Sequence, residues 1–265
     1  MYGGGGAQNS NTDGYSSPVQ IGTDTTWSSA YGSINTTGSG SNARAVWAMK
    51  TDGTLWAWGA NNPTGWLGLN DKTQRSSPTQ IGGTNWSHIG QGGRSAIKTD
   101  GTLWIWGPGT MGSLGLNQGN NNGGNPGGDY SSPKQIPGTN WHRIARNLNG
   151  LNNTAIKTDG TLWTWGDNTY HAGGGMLGQN NLTEYSSPVQ VGSNTTWKSC
   201  FLSGTNGGGT KTDGTLWTWG RNTVGQLGNN SQGPGDSASR SSPVQIPGTT
   251  WNAVRTCYVM NYFAN

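Results

Sequence analysis

Charge is scarce in this sequence: 11 acidic and 15 basic side chains among 265 residues, or 10% in all. Apolar residues are scarce as well, since the hydrophobic types together reach 29% and only two residues are Phe. Cysteine occurs only as Cys200 and Cys257, too few for a disulfide-stapled scaffold. No run approaches the ~18 consecutive apolar residues that a membrane helix needs, so no membrane insertion is expected. The opening MYGGGGAQNSNTDG has neither the basic nor the apolar region of a secretion signal. The excess charge of +4 is dispersed, which leaves no footprint for specific nucleic-acid binding. Together these shortages disfavour a helical bundle, an ordinary α/β enzyme and a membrane protein.

What is abundant is glycine and tryptophan, 48 and 15 residues. A disordered chain is poor in large apolar groups, whereas each Trp can bury roughly 150–250 Å², so indole rings can replace the missing aliphatics. The Trp residues are periodic. KTDGTLWAWG at 50–59 returns as KTDGTLWIWG at 98–107 and as KTDGTLWTWG at 157–166 and 211–220. A second element, SSPxQ, begins at Ser16, Ser76, Ser131, Ser186 and Ser241, and each copy precedes a lone Trp: Trp27, Trp86, Trp141, Trp197 and Trp251. Repeats of this length mark propellers, solenoids or arrays.

Within the decamer, Asp-Gly flanked by Thr predicts a tight hairpin, read from sequence as a type I′ turn. In the strand that follows, Leu103 and Ile105 face one way and Trp104 and Trp106 the other. A strand apolar on both faces has to lie between two packed layers. Further strands are expected after the Pro of SSPxQ and after the lone Trp, making four per repeat. The expected fold is therefore all-β, a β-propeller of about five four-stranded blades. It forms one domain, 1–265, with repeats starting near 27, 86, 141, 197 and 251, the last completed by 1–26. The opening GGGGAQNSNTDGYSSPVQIG resembles GGGMLGQNNLTEYSSPVQVG at 173–192, while the tail from Trp251 resembles the start of a blade. Pairing of the N- and C-terminal segments would close the ring and hide its edge strands. The last blade is incomplete, because no KTDGTLW hairpin follows Trp251, so closure between chains in an oligomer is the alternative.

The G-x-L-G turns (Gly65 to Gly68, Gly112 to Gly115, Gly225 to Gly228), SSPxQI, the lone Trp and the W-x-W-G hairpin together resemble the regulator of chromosome condensation family over essentially the whole chain. The TDGTLWxWG form and the G-Q-L-G turn at Gly225 to Gly228 are similar to the family's bacterial and phage versions. The resemblance implies a propeller, with seven blades the usual number. The family includes a nucleotide exchange factor, inhibitors of β-lactamase, and surface or virion proteins, so fold does not name the function. The faces and inserts of the exchange factor match no segment here.

No catalytic set emerges. Asp52, Asp100, Asp159 and Asp213 belong to hairpin turns, and the remaining acids share no repeat position. His88 and His142 follow their lone Trp by two and one residues, which reads as opposite strand faces, and His171 sits in a Gly-rich loop, so no metal site is expected. Cys200 takes the place of Ala30, Ile89, Ile144 and Val254 in other repeats and reads as a core residue. Gly119 to Gly128 and Gly204 to Gly209 read as long irregular surface loops, without the motif of a phosphate cradle. No cofactor is implied. Trp47 is expected to pack against the neighbouring blade. Trp66 takes the variable place of its G-x-L-G turn, which suggests exposure. With Met111, Tyr170 and His171 it makes up the expected contact set, since variable loops on a rigid ring carry recognition. The reading is a non-enzymatic protein-interaction scaffold, such as a virion decoration or tail protein, located on a virion or other surface. An inhibitor-like binder of a soluble enzyme and a propeller binding a surface glycan through Trp66 are the alternatives.

Overall fold

A computed structural model describes residues 18, 20–34, 44–61, 64–90, 92–118, 128–147, 151–169, 175–231, 233, 237–256 and 261–264. Four antiparallel sheets follow one another, each a simple meander of four strands. The first contains β1 (Trp27–Ile34), β2 (Arg44–Lys50), β3 (Leu55–Gly59) and β4 (Arg75–Ile81). The second contains β5 (Trp86–Ile89), β6 (Ser95–Lys98), β7 (Leu103–Gly107) and β8 (Tyr130–Gln135). The third contains β9 (Trp141–Arg146), β10 (Asn152–Lys157), β11 (Leu162–Gly166) and β12 (Tyr185–Gln190). The fourth contains β13 (Phe201–Leu202), β14 (Asn206–Thr210), β15 (Leu216–Gly220) and β16 (Arg240–Ile246). A two-stranded ribbon, β17 (Ala253–Thr256) with β18 (Asn261–Ala264), stands where a fifth sheet was expected. The expected joining of this ribbon to the N-terminal segment rests on residues 1–17, outside the described residues.

The sheets are stacked like blades of a fan. Contacts between consecutive sheets run through their first and second strands, β1 and β2 to β5, β6 to β9, β9 and β10 to β13, and β13 and β14 to β17. The fourth strands, which carry SSPxQ, therefore lie on the outer side. There is no single core. Instead, buried clusters sit between neighbouring sheets: Trp47, Leu55, Ala57, Leu67 and Ile81 of the first meet Trp86, Ile89, Ala96 and Trp106 of the second. Ile97, Leu103, Ile105 and Leu114 of the second meet Trp141, Ile144, Ala155 and Trp165 of the third. The two faces of β7 thus do different things, Leu103 and Ile105 packing forward and Trp106 backward. Trp106, Trp165 and Trp219 are each 0% exposed.

The G-x-L-G turn is the other half of each joint. A Cβ on Gly112 would lie 2.6 Å from Ser186 Cα of the next sheet, and one on Gly115 would lie 2.7 Å from the Trp165 indole nitrogen. Close approach of the turn to the next sheet's indole and SSP strand therefore requires glycine at both positions. Across the same joints Trp106 Nε1 donates to Trp66 O (2.9 Å) and Trp219 Nε1 to Met176 O (2.8 Å). Asn70, Asn117 and Asn180 backbone N–H groups donate to Ser131, Ser186 and Ser241 carbonyls.

The KTDGT hairpins depart from the type I′ geometry expected. Gly53 N–H donates to Lys50 O and Lys50 N–H to Thr54 O. Only the glycine has positive φ, 77° at Gly53, while the Asp does not. This is a type I turn followed by a left-handed glycine bulge. The aspartate is free to accept from the backbone N–H and hydroxyl of the Thr two residues on, as Asp100 does from Thr102 (2.9 and 2.6 Å). Gly204 to Gly209 also departs from expectation. Rather than a surface loop, Asn206–Thr210 is the buried strand β14. Its glycines leave room for rings: a Cβ on Gly208 would lie 2.2 Å from the Phe201 ring, and one on Gly207 would lie 2.5 Å from the Trp219 indole. Gly119 to Gly127 fall outside the described residues.

Candidate interaction surfaces

Because every sheet is a meander, its connections divide between two ends. The short KTDGT hairpins (second to third strand) and the links from each fourth strand to the next sheet lie at one end. The long, variable connections between third and fourth strands lie at the other: 60–74, 108–129, 167–184 and 221–239. Trp66 and Met111 belong to this variable end.

The structure describes two of the four residues of the expected contact set. Trp66 is 3% exposed, with the Arg94 guanidinium 4.3 Å from its ring centroid. Its expected exposure is therefore corrected: the turn that carries it is pressed against the second sheet, and Arg94 covers the ring. A glycan stacking on Trp66 is incompatible with that burial. Met111 is half-buried in a one-turn 3₁₀ segment, Thr110–Gly112, with φ of 52°. Tyr170 and His171 lie outside the described residues. Trp47 is 0% exposed and lies against Gly93 of the next sheet, where a Cβ would come within 2.2 Å of its ring.

Arg94 and Arg146 are the charged residues that the sequence did not single out. Both are fully buried, and Arg146 Nη1 donates to Trp106 O (3.0 Å) across the joint between sheets. Burial lowers the Arg94 guanidinium to about 10 and holds Arg146 well below its ordinary value, with the Arg94 charge adding to the effect on Arg146. On the first strands, His88 of β5 hydrogen-bonds the backbone of Ile144 in β9 and faces Arg143 and His142. The two histidines are thus neighbours across a joint, the forward face of β5 meeting the backward face of β9. Bulges after Trp86 and at His142 shift the pairing register of β5 and β9. Burial, then the Arg143 and His142 charges, hold His88 down at about 4. Cys200 packs against the cluster of Ile156, Leu162, Val191, Trp197 and Trp219. Burial pushes its thiol up to about 12, the opposite of what a nucleophile needs. Among the described residues no group of three or more His, Cys, Asp or Glu is placed to hold a metal ion, and no helix is long and apolar enough to cross a membrane.

At the hairpin end each sheet builds the same nest. The lysine that opens KTDG lies over two indoles, the lone Trp and the first Trp of W-x-W: Lys98 Nζ is 5.0 Å from the Trp86 ring centre and 4.6 Å from that of Trp104. Lys50, Lys157 and Lys211 repeat the arrangement. The two rings meet edge to face, 6.3 Å apart for Trp86 and Trp104. Trp104 Nε1 donates to Thr102 Oγ1 (2.9 Å), whose hydroxyl donates to Asp100. The signal for the nest was in the sequence, in the joint recurrence of Lys, lone Trp and W-x-W. Beside the nest of the fourth sheet runs a groove of about 350 Å³ between the third and fourth sheets.

Comparison with known proteins agrees with this architecture. The model of the regulator of chromosome condensation (RCC1) repeat matches residues 213–257. The chain is 29% identical over 204 residues to the Ultraviolet-B receptor UVR8 of Arabidopsis thaliana, covering 74% of this chain and 42% of the receptor. Among solved structures, human WBSCR16 is similar in fold (TM-score 0.64, 20% identity), over 79% of this chain and 52% of that one. Prp20p from Saccharomyces cerevisiae, characterised for its binding to Gsp1p and histones, is also similar (TM-score 0.60, 18% identity), over 77% of this chain and 49% of that one. The chain spans about half the length of the relatives it matches.

Proposed function

Because this chain belongs to the regulator of chromosome condensation repeat family, we propose that it is a non-catalytic propeller scaffold whose variable loop end recognises a protein partner. One observation carries this reading. The residues of the repeat are consumed in building joints and hairpins, while the longest connections, which differ most between repeats, are gathered at one end of the stack. The aspartates that could serve acid–base chemistry are held in turns, where the Thr hydroxyl and then the Thr backbone N–H lower each carboxyl below its usual range. Binding of Gsp1p and histones by Prp20p supports a protein as the class of ligand. The narrower reading is a surface component of a virus particle, supported by the low Lys and Glu content and the abundance of Asn, Gly, Ser and Thr.

The test exchanges the 108–129 loop for the shorter 60–74 loop and measures capture of the partner from extracts of the native source. Capture is expected to fall at least tenfold with the melting temperature little changed, while Asp52→Asn at the hairpin end leaves it intact. Equal capture by the loop exchange overturns the assignment of the binding end. Failure of the tagged chain to enter purified particles overturns the virion reading alone.

A further inference from the structure

The four nests are alike in their lysine and two indoles but not in what stands beside the ammonium. The relevant position is three residues before the lone Trp, and it is occupied by Asp24, Gly83, Gly138 and Asn194. In the first sheet Asp24 fills the nest. Its carboxylate pairs with Lys50 Nζ at 2.5 Å and accepts from the Thr26 backbone N–H and hydroxyl (2.8 and 2.6 Å). Those bonds, that with Lys50 foremost, hold the Asp24 carboxyl well below the usual range. In the second and third sheets glycine leaves the place open, for a Cβ there would lie 3.5 Å from Lys98 Nζ and 3.9 Å from Lys157 Nζ.

The fourth nest combines an empty place with a groove. Lys211 is 6% exposed, its Nζ lies 3.9 Å from the Trp217 ring centre, and among the described residues no carboxylate is within ion-pair distance of it. Burial lowers its ammonium from the ordinary value, with Asp213 only partly opposing this. A part-buried ammonium set between two indoles with no ion-pair partner is under-compensated. It lines the groove of about 350 Å³ together with Gln179, Asn180, Asn194, Trp197 and Trp217. Asn194 keeps the Asp24 geometry in weakened form, accepting from the Thr196 hydroxyl at 3.5 Å.

We propose that this groove receives an acidic side chain from an extended segment of a partner protein, its carboxylate taking the place beside Lys211 that Asp24 takes beside Lys50. The first sheet shows the chemistry within one molecule: a carboxylate on irregular chain, set against an ammonium between two indoles. The +4 charge of the chain favours approach of such a segment. The site rests on the reading of the chain as a protein-interaction propeller and adds a second contact, in a groove that joins the hairpin-end nest of the fourth sheet to residues Gly178–Asn180 of the 167–184 connection.

The probe is the pentapeptide acetyl-Gly-Thr-Asp-Thr-Thr-amide, the sequence of residues 22–26, with its Asp-to-Asn counterpart as control. Titration into the labelled full chain is followed by the Trp217 indole N–H and the Lys211 side-chain resonances. The expected result is a saturable shift with the Asp peptide and at least tenfold weaker binding of the Asn peptide. Lys211→Met should abolish the shift. Asn194→Asp should abolish it too by supplying an internal carboxylate, and this variant also covers the case in which Lys211→Met fails to fold. Equal binding of the two peptides, or unchanged binding by Asn194→Asp, overturns the proposal. Sodium galacturonate moving the same resonances while the peptide does not would also overturn it, by placing the carboxylate on a sugar. Failure of the unaltered chain to bind the Asp peptide, with partner capture retained, sinks only this site, whereas the loop exchange tests the scaffold reading.

Discussion

Each joint between sheets is decided by a glycine meeting a strand and an indole meeting a turn, so single atoms there carry large effects. Gly112→Ala would combine a φ of 69° with a Cβ 2.6 Å from Ser186 Cα, whereas Gly192→Ala has a φ of 58° but no atom within 4 Å. The second change should cost about 1 kcal/mol through backbone strain alone. The first should cost at least about 3 kcal/mol, because a backbone atom of the next sheet has to move; urea unfolding of the two variants checks the difference. His88 gives a pH dependence. The folded chain binds its proton less well than the unfolded chain, about 4 against 6.5, so the stabilisation is complete above about 6.5 and is lost as pH falls towards 4. At about 1.4 kcal/mol for each tenfold change in proton affinity, the loss is on the order of 3 kcal/mol. His88→Gln should flatten the urea midpoint across that window, and an unchanged slope would count against the assignment. Neither effect was legible in the sequence. A G-x-L-G turn announces its own geometry but not the strand it will touch. In the same way Trp66 seemed dispensable because the Arg94 that covers it comes from the next repeat.

At the scale of strands and hairpins much more could be read. Period-2 alternation in LWxWG correctly implied a strand wedged between two layers, since neither of its faces tolerates water. The lone Trp opens the first strand of the first three sheets, at Trp27, Trp86 and Trp141, whereas in the fourth the strand begins at Phe201, after Trp197. The hairpin type was misread because Asp-Gly suggests a two-residue turn, while the Thr before Asp belongs to the loop as well. Strand β14 was missed for a different reason: three glycines in a row carry no propensity for a strand, and what makes them one is rings lying where their side chains would be, Phe201 at Gly208 and Trp219 at Gly207. That dependence is testable. Phe201→Ala should cost about 3–5 kcal/mol, and Gly208→Ala should also destabilise because its Cβ would lie 2.2 Å from the Phe201 ring. In the double variant the methyl group enters the vacated space. The losses should then sum to less than the two singles, with a coupling of about 1 kcal/mol or more; strict additivity in a double-mutant cycle would mean that Phe201 does not shape β14.

For the molecule as a whole, stability comes from a series of like interfaces, each holding only adjacent sheets, as in other repeat proteins. Such a stack has two ends, and an exposed sheet end invites pairing with other chains. The ribbon of β17 and β18 follows the fourth sheet, and β17 packs against β13 and β14, so it continues the fan without completing a blade. The likeness of residues 3–22 to 173–192 supports closure by the N-terminal segment of the same chain. Removal of residues 1–17 separates the alternatives, because Asp24, Lys50 and the first sheet remain. If closure is within one chain, the intact protein is monomeric and the truncated one associates, exposing the strands that the segment had covered. If closure is between chains, the intact protein is the oligomer and truncation releases monomers. Light scattering coupled to size exclusion reads both masses directly, and closure within the chain predicts association on truncation together with a fall in melting temperature. An unchanged mass and melting temperature would show that residues 1–17 take no part in the stack.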